Sequence, residues 1–229
     1  MSVNTLKFYN TTIGKKIVMA LSGAILLGFV FSHMAGNLLI FAGEAALNDY
    51  ALSLRQLLGG AGIWVARLVL IGAVFAHVWS ALQLTSQNRS ARKQAYKRVP
   101  NQASTAASKS MAFGGIAILL YIAYHLAHLT FGVIPGGAVV SGQPAGLDMN
   151  VYQNIVKSFS IWWISAIYLV AQVFLGLHLY HGAWSFMQTL GVSHPRYDAY
   201  RKQFAGAFSA LVCIGFAIVP IAVITGWVK

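Results

Sequence analysis

Residues 17–41 read IVMALSGAILLGFVFSHMAGNLLIF, twenty-five consecutive positions without an Asp, Glu, Lys or Arg. A run of that length exceeds the roughly 20 helical residues needed to cross a hydrocarbon core. The basic residues ahead of it, Lys7, Lys15 and Lys16, give it the outline of a signal peptide. It is too long for a signal's apolar segment, however, and no small-x-small site closes it, so it reads as a permanent span. One residue in it is out of place. His33 lies deep in the stretch, where an ionisable side chain is expensive and marks a functional candidate.

Four more stretches of the same kind follow, at 63–85, 111–134, 159–186 and 204–226. They lack the strict alternation of a membrane barrel, which leaves helices as the spanning elements. The expected fold is all-α, a bundle of five transmembrane helices forming a single membrane domain over residues 1–229. Composition agrees: 58% of residues are hydrophobic, 9% are charged and the mean hydropathy is +0.66, whereas a soluble domain carries about a quarter charged residues. The single cysteine, Cys213, rules out an internal disulfide, a cysteine-type zinc site and covalent c-type haem attachment. It is read as a lipid or helix-packing residue.

A net charge of +12 raises nucleic-acid binding, but the distribution of the charge points to topology instead. Lys7, Lys15 and Lys16 precede the first span; Arg89, Arg92, Lys93, Lys97, Arg98 and Lys109 separate the second and third; Arg196, Arg201 and Lys202 separate the fourth and fifth. Twelve of the sixteen basic residues thus share one side, which the positive-inside rule makes cytoplasmic. Glu44, Asp49 and Asp148 fall on the other side. The N-terminus is expected inside and the C-terminus outside, with docking of a soluble partner or anionic lipid as an addition to the basic face.

The connections differ in character. Leu47, Tyr50, Leu54 and Leu57 recur at helical spacing within 44–58, which predicts a short helix on the outer surface. Residues 132–146 are rich in Gly and Pro and read as an irregular loop. Residues 87–110 form the largest, polar and basic, cytoplasmic connection.

The chemistry rests on histidine. His33, His77, His125 and His178 each occupy a different span, and imidazole is the commonest metal ligand among side chains. Counted from the cytoplasmic ends, His33 and His125 sit roughly 20 to 25 Å up and His77 and His178 about 12 Å up. Spans one and three therefore pair, as do spans two and four, and each pair can clamp a planar metallocofactor. The two centres are expected about 10 Å apart along the membrane normal. Bis-histidine haem accounts for such pairs, because its iron has no open site and its work is electron transfer. The second ring nitrogen of each histidine is expected to find a carbonyl or hydroxyl. Ala24, Gly28, Ser32 and Gly36 make a small-residue stripe, Ala73 and Ala81 flank His77, and Gly182 lies one turn from His178. Such positions serve close helix contact or clear room for a macrocycle. His128 and His181 each follow a candidate by three residues, so spacing alone leaves either member of each couple as the ligand. His194, beside Pro195, reads as solvated.

The segments SHMAGNLLIF around His33, AHVWSALQL around His77, YHLAHLTFG around His125 and HLYHGAWSFMQTLGV around His178 resemble the di-haem cytochrome b membrane anchor of succinate dehydrogenases and fumarate reductases. The similarity is to the branch in which one five-helix polypeptide carries both haems, and it covers essentially the whole chain. It implies two haem b groups with His33, His77, His125 and His178 as axial ligands, His33 paired with His125 and His77 with His178. It also implies flavoprotein and iron-sulfur subunits on the cytoplasmic face, exchange of electrons with membrane quinone, menaquinone being expected, and a place in a bacterial cytoplasmic membrane. His128 and His181 become supporting residues, and Arg67 and Ser22 are candidate partners for haem propionates. The direction of the reaction, the quinone site and dimerisation of the complex stay open.

Succinate chemistry itself is assigned to a partner, since no dinucleotide fingerprint is present. No Asp or Glu lies inside any span, so no carboxylate proton relay is evident. Rival readings are the cytochrome b subunit of a hydrogenase, formate dehydrogenase or nitrate reductase, a membrane di-iron hydroxylase, and a haem-free transport or structural subunit. Nucleic acid is not an expected partner.

Overall fold

The computed structural model describes residues 8–91, 106–134 and 150–229, and every regular element among them is helical. Lys7, the basic residues Arg92, Lys93, Lys97 and Arg98, and the Gly/Pro-rich stretch from Pro135 through Asp148 lie outside the described residues.

Local chemistry sets the boundaries. Helix α1 (Thr12–Asn37) begins at Thr11, whose extended backbone lets its hydroxyl accept from the Gly14 N–H at 3.0 Å, satisfying one of the unpaired donors of the first turn. It tightens into a 3-10 turn over Leu38–Ala42 and stops at Gly43, with φ +103°. Helix α2 (Glu44–Gln56) carries Glu44 in its first turn and Arg55 in its last, complementing the helix dipole. Only part of its apolar face is covered. Leu47 is buried and the Tyr50 ring lies against Gly36, whereas Leu54 and Leu57 stay exposed. Leu58, Gly59 and Gly60 take φ of 53°, 63° and 92° in succession and turn the chain into α3 (Ala61–Ser90).

Helix α4 (Ala106–His125) runs into a π turn over Leu126–Thr130, in which the Phe131 N–H donates to the Leu126 carbonyl at 2.8 Å. Helix α5 (Val151–Phe159) is capped by Asn150, whose side chain accepts from the Gln153 N–H at 3.0 Å. Its apolar positions Tyr152, Ile155, Val156 and Phe159 fall at helical spacing. Phe159 therefore ends a separate short helix. The long helix α6 (Trp162–Thr189) begins after a break at Ser160 and Ile161. Helix α7 (Pro195–Ile224) begins nine residues before the expected 204. Pro195 suits the first helical position, His194 caps it by accepting from the Arg196 N–H at 3.2 Å, and Asp198 pairs with Arg201 at 2.6 Å and Lys202 at 2.7 Å.

The five long helices α1, α3, α4, α6 and α7 are long and apolar enough to cross a membrane. Contacts such as Tyr9 with Gln83, Gly115 with His178 and Ser209 with Gly176 make α1/α3, α4/α6 and α6/α7 antiparallel neighbours. The bundle thus has a near end, where α1 begins, and a far end, where α2 and α5 lie.

Helix α1 packs on α3, α6 and α7, and α6 packs on α4 and α7. Among the described residues no comparable interface joins α1 to α4, α3 to α6 or α3 to α4. Four helices therefore form a four-cornered arrangement with α1/α4 and α3/α6 as its diagonals, and among the described residues no interface closes the α3/α4 side. Helix α7 braces the α1/α6 side. There Gly176 lets the Cys213 sulfur approach to within 3.1 Å of where a Cβ would stand, and Ser209 donates to the Gly176 carbonyl at 2.7 Å. Cys213 is thus a helix-packing residue. At the far end Ile40, Leu47, Tyr152, Phe159, Ile164, Tyr168 and Val223 form one buried cluster. Asn48 links α2 to α5 by donating to Asn150 at 3.0 Å and accepting from the Tyr152 N–H at 3.1 Å.

Candidate functional site

The unpacked diagonals are bridged by histidine. His33 of α1 faces His125 of α4 with ring centres 6.0 Å apart, and His77 of α3 faces His178 of α6 with ring centres again 6.0 Å apart. Two metal–imidazole bonds of about 2 Å each, plus the roughly 1 Å from each nitrogen to its ring centre, add up to about 6 Å. Each pair is therefore spaced to hold one metal ion between two nitrogens. Among the described residues no group of three or more His, Cys, Asp or Glu side chains is placed to hold a metal. A metal at either pair needs its remaining ligands from a group such as a porphyrin.

Neighbouring contacts fix the heights of the pairs. A Cβ on Gly23 of α1 would lie 3.2 Å from His77 Cε1, and one on Gly115 of α4 would lie 3.9 Å from His178 Cε1. Each glycine precedes the distal histidine on its own helix, His33 or His125, by ten residues. Ten residues of helical rise separate the two levels by about 15 Å. That exceeds the 10 Å expected from sequence, because the near ends of the spans are not at a common height: Gly23, level with His77, is six residues above residue 17, whereas His77 is eight residues from residue 85.

Second-nitrogen partners differ between the pairs. His77 Nδ1 lies 3.1 Å from the Met19 carbonyl. A carbonyl can only accept, so Nδ1 carries the proton and Nε2 keeps a lone pair free for a metal. His125 Nδ1 lies 3.2 Å from the Tyr168 hydroxyl. His178 Nδ1 is buried without a hydrogen-bond partner, and the His33 ring stacks on Phe29 at 5.4 Å and meets Phe216 at 5.7 Å.

His128 and His181 take other positions. The π turn carries His128 away from the diagonal into full burial, with Nδ1 2.9 Å from the Tyr168 hydroxyl and its ring stacked 5.6 Å from Tyr124. His181 meets Trp184 edge-on at 5.6 Å, and its Nδ1 is buried and unpartnered. Neither ring meets a histidine of another helix, whereas His125 and His178 both do.

Ser22 joins the near-end pair indirectly. Its hydroxyl donates to Val18 at 2.7 Å and lies 3.1 Å from the Met19 carbonyl, the same oxygen that receives His77. Arg67 is exposed and holds its guanidinium 4.8 Å from the Trp64 ring centre. The small-residue stripe divides by role. Gly36 admits the Tyr50 ring, while a Cβ on Gly28 or Gly182 would meet nothing within 4 Å.

Several residues at the site had no local signal in the sequence. Tyr168 touches both His125 and His128, yet it is one uncharged aromatic in a run of apolar residues. Gly23 lies off the four-residue stripe. Ser80, three residues beyond His77, is fully buried with an unpartnered hydroxyl. A polar residue one turn from a buried histidine was the available clue for Ser80.

Comparison of the chain with protein-family models, with curated proteins and with solved structures finds no match in any of the three.

Proposed function

We propose that this chain is the membrane anchor and electron-transfer subunit of a succinate:quinone oxidoreductase, relaying electrons between an iron-sulfur partner and membrane quinone through two bis-histidine b haems. The observation that carries the reading is the pair of ring separations, 6.0 Å at each of two levels, across diagonals where the described residues form no substantial helix interface. When bound, each haem supplies one-electron chemistry between ferric and ferrous iron.

The chain's own residues do the rest. His33 and His125 hold the far-end group, and His77 and His178 the near-end group. The Met19 carbonyl locks the His77 tautomer, and Gly23, where a Cβ would lie 3.2 Å from the ring, gives His77 its room. Ser80, buried with an unsatisfied donor, is better suited to a carboxylate group than Arg67. A di-iron centre is disfavoured, since the histidines come as two separated pairs.

The bundle crosses a bacterial cytoplasmic membrane with its near end inside. Basic residues gather at that end, and Trp64, Trp162, Trp163 and Trp227, between 39% and 71% exposed, ring the far end as an interfacial aromatic belt does. The flavoprotein and iron-sulfur subunits dock on the basic near end, and the particular family assignment rests on the histidine-containing segments quoted above.

The test is an oxidised and dithionite-reduced absorption spectrum of the purified protein, with haem quantified per chain. Two b-type haems per chain are expected. A colourless protein overturns the reading.

A further inference from the structure

We infer that Tyr168 is a positioning residue that fixes the tautomer of His125 and relays its hydrogen-bond polarity to His128, making the His33–His125 centre electronically distinct from the His77–His178 centre. The inference rests on the haem reading above and extends it to one side chain.

A single hydroxyl lies between two imidazoles. The Tyr168 oxygen is 3.2 Å from His125 Nδ1 and 2.9 Å from His128 Nδ1. It owns one proton, so it donates to one ring and accepts from the other. Metal binding across the diagonal needs the Nε2 lone pair of His125, which leaves the ring proton on Nδ1. That proton is donated to the Tyr168 oxygen. The Tyr168 hydroxyl is then directed at His128 Nδ1, and the His128 proton resides on Nε2. One arrangement of three protons satisfies the chain, and the reverse arrangement removes the lone pair that a metal requires.

The fold holds these groups in place. Tyr168 is 6% exposed, with Phe159 edge-on at 4.8 Å and Tyr121 edge-on at 5.3 Å. His128 reaches the hydroxyl because the π turn at Leu126–Thr130 changes its angle relative to His125, and such turns recur at functional sites. The near-end centre is built differently, since His77 gives its Nδ1 proton to a backbone carbonyl. A hydroxyl polarised by a second imidazole accepts more strongly than an isolated one. An acceptor on the outer nitrogen raises the basicity of a ligating imidazole. Removing it weakens donation to the iron and favours the reduced form.

The experiment uses the full chain, purified with bound haem, and compares wild type with Tyr168→Phe, which keeps the packed ring. Haem per chain, the optical redox titration of each haem and the low-spin electron paramagnetic resonance spectrum are measured. Haem content is expected to stay at the wild-type value. The midpoint potential of the centre that is lost in His125→Ala is expected to move upward, with a change in its resonance position, while the other centre stays fixed. His128→Phe preserves the stack on Tyr124 and is expected to move the same centre in the same direction by less. Unchanged midpoints, or equal shifts at both centres, overturn the Tyr168 assignment while the haem reading survives. Wild-type protein without haem overturns both.

Discussion

At the scale of single residues, the site is defined by which imidazole meets which. His125 and His178 oppose partners on other helices, and His128 and His181 do not. Replacing His77 or His178 by alanine is therefore expected to lower haem from two to one per chain, leaving the other centre's spectrum in place, as a haemochrome assay reads. Loss of both haems from either variant would argue that the levels do not form independently. Glycine supplies a second test. The Cβ position of Gly23 lies 3.2 Å from the His77 ring, whereas that of Gly28 has nothing within 4 Å. Gly23→Val is expected to displace His77 and diminish the near-end haem. A wild-type spectrum for Gly23→Val would show that His77 can retreat without cost.

At the scale of elements, the far end is tied together by short polar links. Asn150 caps α5, accepts from Asn48 of α2 and also donates to Glu44. Losing an N-cap costs about 1 kcal/mol, so Asn150→Ala is expected to lower the thermal unfolding midpoint in detergent without removing haem. An unchanged midpoint would mean that the α2/α5 cap contributes nothing to the bundle. The long helices were legible because twenty-residue apolar runs leave few alternatives. The break at Ser160 and Ile161 was not, since Phe159, Ile161 and Trp162 are all apolar and hydropathy runs through the kink. Helix α5 did carry a signal in the spacing of Tyr152, Ile155, Val156 and Phe159. The early start of α7 was masked by Arg196, Asp198, Arg201 and Lys202, whose charges belong to a helix end that projects from an apolar span. The facing of His33 to His125 and of His77 to His178 agrees with the depth count. Which of His125 and His128 faces His33 could not be read, because it depends on a π turn that local sequence does not announce.

At the scale of the whole molecule, the proposed orientation predicts which surfaces are reachable. In a Cys213→Ser background, Lys229→Cys is expected to react with a membrane-impermeant thiol reagent from outside intact cells. Lys16→Cys, exposed at the start of α1, is expected to react only in inverted vesicles. The opposite pattern would invert the topology. The two histidine levels lie about 15 Å apart, roughly half of a hydrocarbon core about 30 Å thick. A unit charge crossing the full membrane at 100 mV changes energy by about 2.3 kcal/mol. On the proposed haem reading, an electron passed between the two centres would traverse about half of that drop, roughly 1.1 kcal/mol, so its distribution between them would respond to the voltage across the bilayer.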